Sequence, residues 1–360
     1  MPEIAWWPWI AFGVLVTGLL ALDLLVFHRR DHEPTLRESA GWSAFWIGLA
    51  IAFNVLIWLW KGHQAGVEFL TGYIVEKSLS MDNIFVFAVI FRFFQVPFQY
   101  QYRVLFWGIL GAIFTRLAFI LAGTALIQTF DWVLPVFGAF LIYTAVKLAR
   151  HSPDTEVHPD KNIFLRLGRR FLRVSRGDHR EHGHAFFAKE GGRWCITPMF
   201  LVLLVIESTD ILFAVDSVPA IFGITTDPFI VFTSNIFAIL GLRALYFLLA
   251  GVIEMFRYLH YGLAAILGLV GVKMVAEYCL EKGLFGPMPF HKISPWVSLG
   301  AVASILAITI VASMLAQRRE DRLQAAALSP QPPADPTPGT ALAPDGAPEI
   351  RDASPSDPPA

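Results

Sequence analysis

The sequence predicts an all-α, polytopic membrane protein of about nine transmembrane helices, and three observations predict it. Apolar residues make up 55 % of the chain and charged residues only 16 %, too little charge to cover a soluble domain of this length. Mean hydropathy is +0.55. The apolar residues also come in blocks of about 20, the length that crosses a hydrocarbon core about 30 Å thick. A net charge of −1 offers nucleic acid no attracting field. Cys195 and Cys279 stand in different segments and suggest neither a disulfide framework nor a zinc site. The start, Met1-Pro-Glu-Ile-Ala-Trp-Trp-Pro-Trp, lacks the basic stretch of a signal peptide, so the first apolar block should stay as a helix.

The spans fall at about 6–27, 42–60, 69–94, 104–127, 131–149, 198–222, 228–250, 259–280 and 296–316. Lys and Arg set their direction. The loops after spans one, three, five and seven, with the C-terminal side, hold Arg29, Arg30, Arg37, Arg92, Arg103, Arg257, Arg318, Arg319, Arg322 and the basic stretch from Arg150 to Arg193. The opposite loops hold little beyond Lys61, Lys282 and Lys292. The positive-inside rule then puts the N-terminus outside and the C-terminus in the cytoplasm. Trp6, Trp7, Trp9, Trp58, Trp60, Trp132 and Trp296 gather at the outer edges, as an aromatic belt would.

Spans three to five match spans six to eight. Gly111-Ala-Ile-Phe-Thr-Arg116 through Gly123 parallels Phe237 through Arg243 to Gly251, and Val146-Lys147 parallels Val272-Lys273. Three spans per unit is odd, so the two units should be inverted relative to each other, a common ground plan of secondary transporters. The chain therefore divides into two N-terminal helices (1–68), a first three-helix unit (69–150), a cytoplasmic loop (151–197), a second three-helix unit (198–280), a final helix (281–320) and a tail (321–360). The tail, rich in Pro, Ala and Asp, cannot bury a core and should be disordered from about residue 323.

Chemistry concentrates in spans three and six. Each midspan carboxylate costs about 3 kcal/mol to insert, so each needs a reason. Glu76, Asp82, Glu207, Asp210 and Asp216 face only two midspan arginines, Arg116 and Arg243, which read as structural counter-ions. Ion pairing can account for one or two of the acids but not five, and Lys77 can offset one more charge. Glu76, Ser80 and Asn83 fall on one helix face, with Asp82 one step round; Glu207 and Asp210 share another. Asp216 lies half a turn from Glu207, so the spacing predicts a helix break at Pro219 that would bring both to one ion and free the Val215 carbonyl as a ligand. The expected ligands are thus Glu76, Asp82, Asn83, Glu207, Asp210 and Asp216, an oxygen set suited to magnesium, calcium or manganese. Protons would fit the surplus charge as well; anions would not. Asp23, near the end of span one, reads as interfacial. His179, His182 and His184 have near-metal spacing but sit on a polar loop, where histidines are usually just solvated.

Longer motifs add a resemblance. Glu76-Lys-Ser-Leu-Ser-Met-Asp-Asn-Ile-Phe-Val-Phe, Tyr102-Arg-Val-Leu-Phe-Trp-Gly108, Glu207 to Ile224 and Thr225 to Asn235 resemble the TerC family of bacterial membrane proteins, especially its Alx-like members, from about residue 20 to 320. Asp23 to Arg30 with His32-Glu33 is similar to that family's first-loop segment. The resemblance implies manganese export or homeostasis, in a family named for tellurium resistance, with manganese (Mn2+) as transported ion, no bound cofactor and no enzymatic activity. Two rivals stand beside it: an adaptor in a metal or tellurium stress complex, and an intramembrane enzyme, for which no Gly-x-Gly-Asp motif is present.

Overall fold

The computed structural model describes residues 6–27, 35–150, 163–171, 173–175, 185–190, 192–249, 258–283 and 293–327. Within these, eleven helices run in order: α1 Trp7–Phe27, α2 Leu36–Lys61, α3 His63–Phe93, α4 Phe98–Thr129, α5 Val133–Arg150, α6 Ile163–Phe171, α7 Pro198–Phe222, α8 Pro228–Leu240, α9 Leu242–Leu249, α10 Leu259–Glu281 and α11 Pro295–Ala327. One antiparallel hairpin, β1 Phe187–Glu190 with β2 Arg193–Ile196, precedes α7. The chain is an all-α polytopic membrane protein apart from that hairpin.

Among the described residues, eight segments are long and apolar enough to cross a membrane, α8 and α9 together making one of them. The ninth expected span, α3, falls outside that set because Glu68, Glu76, Lys77, Asp82 and Arg92 lie along it. Its 31 residues extend about 46 Å, ample for a crossing.

Local chemistry sets the helix ends. α2 begins six residues before the expected 42 because Thr35 and Glu38 form a capping box, with Glu38 N–H donating to Thr35 Oγ1 and Thr35 N–H to Glu38. A single residue, Gly62, turns α2 into α3 at φ +96°, a left-handed conformation that favours glycine. Asp227 caps α8 by accepting from the Phe229 and Ile230 amides, and Pro228 occupies the first helical turn.

The seventh span is buried along its whole length and breaks at Gly241. α8 is accordingly apolar around nearly its full circumference, as a helix surrounded by other helices must be. Glycines let its neighbours approach. Gly108 of α4 lies against Ile206 of α7, and a side chain at Gly123 would meet Phe222. Gly138 of α5 and Gly271 of α10 each rest on the other's carbonyl oxygen.

Several contacts tie the expected outer loops to one end of the bundle. Lys61 pairs with Asp227, and Lys282 lies 3.6 Å from Asp131. Trp7 meets Trp60 and Trp58 meets Trp296, with ring centroids 5.3 and 5.9 Å apart.

The structure corrects three expectations. Helix α7 continues through Pro219 to Phe222 without a break. Pro219 sits in its last turn, so little helix remains beyond the lost hydrogen bond. The loop at 151–197 is not merely polar, since it holds α6 and the hairpin, with Leu165, Cys195 and Ile196 buried. Helix α11 runs to Ala327, past the expected start of the disordered tail; residues 328–360, like His179, His182 and His184, lie outside the described residues. Residues 318–360 form a separate unit, of which the end of α11 is described.

Candidate functional site

Two buried arginines organise the polar interior. Arg116, on α4, is fully buried and ion-pairs with Glu76 of α3, also fully buried. Its Nη1 donates further to Ser217 Oγ of α7 at 3.1 Å and to Asn235 Oδ1 of α8 at 2.9 Å. Its Nη2 lies 3.7 Å from Asp210 Oδ1 of α7. Asn235 Nδ2 closes the ring by donating to Glu76 Oε2 at 3.4 Å. Four helices thus send one polar layer to a single point. Among the described residues this point holds two carboxylates and one guanidinium, and Asp210 Oδ2 has no hydrogen-bond partner.

Helical spacing explains the layer. Asp210 and Ser217, seven residues apart on an unbroken α7, share a face. Asp216 does not join them. It is half-buried, accepts from Thr144 Oγ1 of α5 at 3.2 Å, and has Lys147 within electrostatic reach. The expectation that a break at Pro219 turns Asp216 inward is therefore overturned: the helix holds, so Asp216 faces α5.

The remaining expected residues divide. Glu207 is half-buried and lies flat on Gly111 of α4, where any side chain would strike its carboxylate. Asn83 is buried on α3, as is Ser80, whose hydroxyl has no partner among the described residues. Asp82 belongs to α3, but its side chain lies outside the described residues. Lys77 turns away from the acids and donates to the Ala238 carbonyl at 3.1 Å, one of the oxygens exposed where α8 ends before Gly241. Gly241 leaves room for that ammonium group: a Cβ there would stand 2.9 Å from Lys77 Nζ. Among the described residues no three His, Cys, Asp or Glu side chains converge as a ready metal cluster.

Arg243, on α9, takes a carboxylate that the sequence reading set aside. Its partner is Asp23 of α1, which is buried among the helices. The Tyr102 ring of α4 covers the guanidinium at 4.1 Å, and its hydroxyl donates to the Asp23 backbone carbonyl at 3.3 Å. Tyr246 donates to Gln101 at 2.7 Å in the same layer. A small cavity of about 10 Å³, close to what one water needs, has both Asp210 and Arg243 in its lining, with Gly108, Ala112, Ile206 and Leu242. It lies between Asp210 and Arg243, and Arg116 is not part of its lining.

Sequence reasoning missed Asp23 and Asn235. Asp23 lies a full turn inside the end of α1, a depth that argued for a partner. Asn235 follows Thr233 and Ser234 in an otherwise apolar helix, a polar run that needs buried partners.

Fold and site define an integral membrane protein whose helices converge on buried ionic centres. The chain belongs to the TerC family: the description "Integral membrane protein TerC family" matches residues 61–321. It is 49 % identical over 311 residues to the membrane protein STKORF319 of Myxococcus xanthus, covering 86 % of this chain and 92 % of that one. It is 44 % identical over 323 residues to a protein of Escherichia coli K12, covering 87 % and 96 %. That protein's name proposes a membrane-bound redox modulator, Alx. A membrane protein of Rickettsia bellii is 37 % identical over 314 residues, covering 87 % and 99 %. No solved structure matches the chain.

Proposed function

We propose that this protein exports a divalent metal cation, manganese foremost, through the polar layer where α3, α4, α7 and α8 meet. The observation that carries the reading is Arg116 shared between Glu76 and Asp210. Two buried carboxylates on one guanidinium leave a negative charge that a cation can take up. Each side chain that bonds or ion-pairs with Arg116 among the described residues offers oxygen: Glu76, Asp210, Ser217 and Asn235. Hard oxygen donors favour manganese, magnesium or calcium over zinc or copper(I). Glu207 on α7 and Asn83 on α3 offer further oxygens, and Asp216 offers a second, weaker station against α5.

The residues suggest how the centre works. Arg116 holds the carboxylates together when no metal is present. An arriving cation displaces the guanidinium from Asp210, its looser partner, and gains Ser217 and Asn235 as neutral donors. The matched units 69–150 and 198–280 support alternating access around this layer, as inverted repeats do in secondary transporters. The N-terminus lies outside and the C-terminus in the cytoplasm of the inner membrane, on the Lys and Arg distribution.

The redox role in the name of the E. coli relative finds less support. Cys195 and Cys279 are unpaired, and Cys195 is buried, donating to the Ala188 carbonyl at 3.3 Å.

Manganese uptake into inside-out vesicles, with and without a pH gradient, tests the proposal. Uptake above that of protein-free vesicles is expected. Vesicles rich in correctly inserted protein that take up no more manganese than empty ones, under either condition, refute it.

A further inference from the structure

We propose that the hairpin β1–β2 is a binding site for anionic phospholipid headgroups of the adjacent leaflet. The inference stands apart from the transport reading and rests on where the hairpin sits and on what it leaves exposed.

Its seat is the end of the helix bundle. Thr197, capping α7, donates its amide to the Phe186 carbonyl at 3.0 Å and its hydroxyl to the Ala185 carbonyl at 2.6 Å. Phe187 packs on Phe200 of α7, and Phe186 packs on Trp107 of α4, with Arg103 over its ring. Trp107 is itself an exposed residue of a membrane-spanning helix. The hairpin therefore packs against an exposed aromatic residue in the first third of a membrane-spanning helix, a position from which it can reach the headgroups.

Its free face combines aromatic rings with cations. Trp194 is 71 % exposed and Phe187 55 % exposed, more than solvation alone favours for such rings. Lys189 stands directly opposite Trp194 in the register and shares its face, while Arg193, also exposed, lies on the other face opposite Glu190. Arg166, Arg170 and Arg173 are exposed on and after α6, which packs on α7 through Gly168 and Leu204. The single described acid of the region, Glu190, bonds Ser175. An amphipathic ring with basic neighbours is what the membrane interface selects, and the cations exposed among the described residues select anionic lipid. A protein partner would need matching acids, whereas anionic headgroups lie beside the end of every membrane-spanning helix.

The test uses full-length protein in nanodiscs of phosphatidylcholine, alone or mixed with phosphatidylglycerol, and follows amide hydrogen exchange over residues 185–196. Phosphatidylglycerol should slow exchange in the wild type, and high salt should remove that slowing. Each cation is worth about a fivefold change in affinity, so Lys189→Gln with Arg193→Gln should abolish the gain while exchange in the transmembrane helices stays unchanged. Trp194→Ala should weaken it. Equal exchange in both discs, an undiminished gain in the double variant, or the same slowing from inorganic phosphate in phosphatidylcholine discs would each overturn the proposal.

Discussion

The two arginine centres are each built from a buried arginine paired with a buried carboxylate, and they differ in what else surrounds the cation. Arg116 lies at the meeting of four helices and is surrounded by oxygen, with Glu76 and Asp210 both in range. Arg243 lies between α1 and α4, where Asp23 supplies a carboxylate and Tyr102 a ring face. In the first centre the guanidinium is outnumbered by acids among the described side chains, and the other ligands are groups a metal ion can also use. In the second, an aromatic face binds guanidinium well but offers a hard divalent ion no oxygen donor. The difference separates a place where a charge can be exchanged from a place where it fastens the first helix to the bundle.

Removing each cation should break the two centres in different ways. The largest effect is expected from Arg116→Ala, which leaves Glu76 and Asp210 buried together without a counter-ion. Breaking one buried pair costs about 3–5 kcal/mol, and repulsion between the acids adds to it, so membrane abundance by immunoblot should collapse. Arg243→Ala strands Asp23 alone and should also lower abundance, by the same few kcal/mol, ~3–5. Here a second change sharpens the contrast: Asp23→Asn with Arg243→Gln removes both charges and should restore much of the protein, with transport retained. Normal abundance and abolished flux in that double variant would move Arg243 from fastener to participant.

Smaller effects rank the remaining acids. Asp216→Asn should reduce manganese export measured as cellular manganese at matched expression, but less than neutralising Asp210, because Asp216 bonds Thr144 on the α5 side of α7. Equal losses would mean that α7 turns during the cycle to bring Asp216 inward. Asp227→Asn should be nearly silent. Asparagine caps a helix as well as aspartate, and the half-exposed pair with Lys61 is worth at most about 1 kcal/mol.

Much of this architecture was legible in the sequence because membrane physics writes it in runs of residues. Length and apolarity located every long helix, and surplus charge marked Glu76, Asp210 and Arg116. What stayed hidden depended on three-dimensional partners. Asp23 read as interfacial because distance from a span's end is visible in sequence while Arg243, 220 residues away, is not. Asn235 carries no charge to flag it. Pro219 pointed to a break because a proline's cost is local, whereas its tolerance depends on how much helix follows. The hairpin had its own sign: Gly191-Gly192 between Phe187–Glu190 and Arg193–Ile196 is a two-residue turn pattern, overshadowed by the charge of the surrounding loop.

The central claim is that surplus carboxylate charge at Arg116 binds the transported cation, and Asp210→Asn tests it most directly. The amide keeps the size of the side chain and an oxygen for Arg116, so insertion and abundance should match wild type. Cellular manganese, measured by elemental analysis under a manganese load, should then rise to the level of cells lacking the protein. Wild-type manganese levels in Asp210→Asn cells at matched abundance would contradict the account and reduce Asp210 to an ion-pair partner of Arg116.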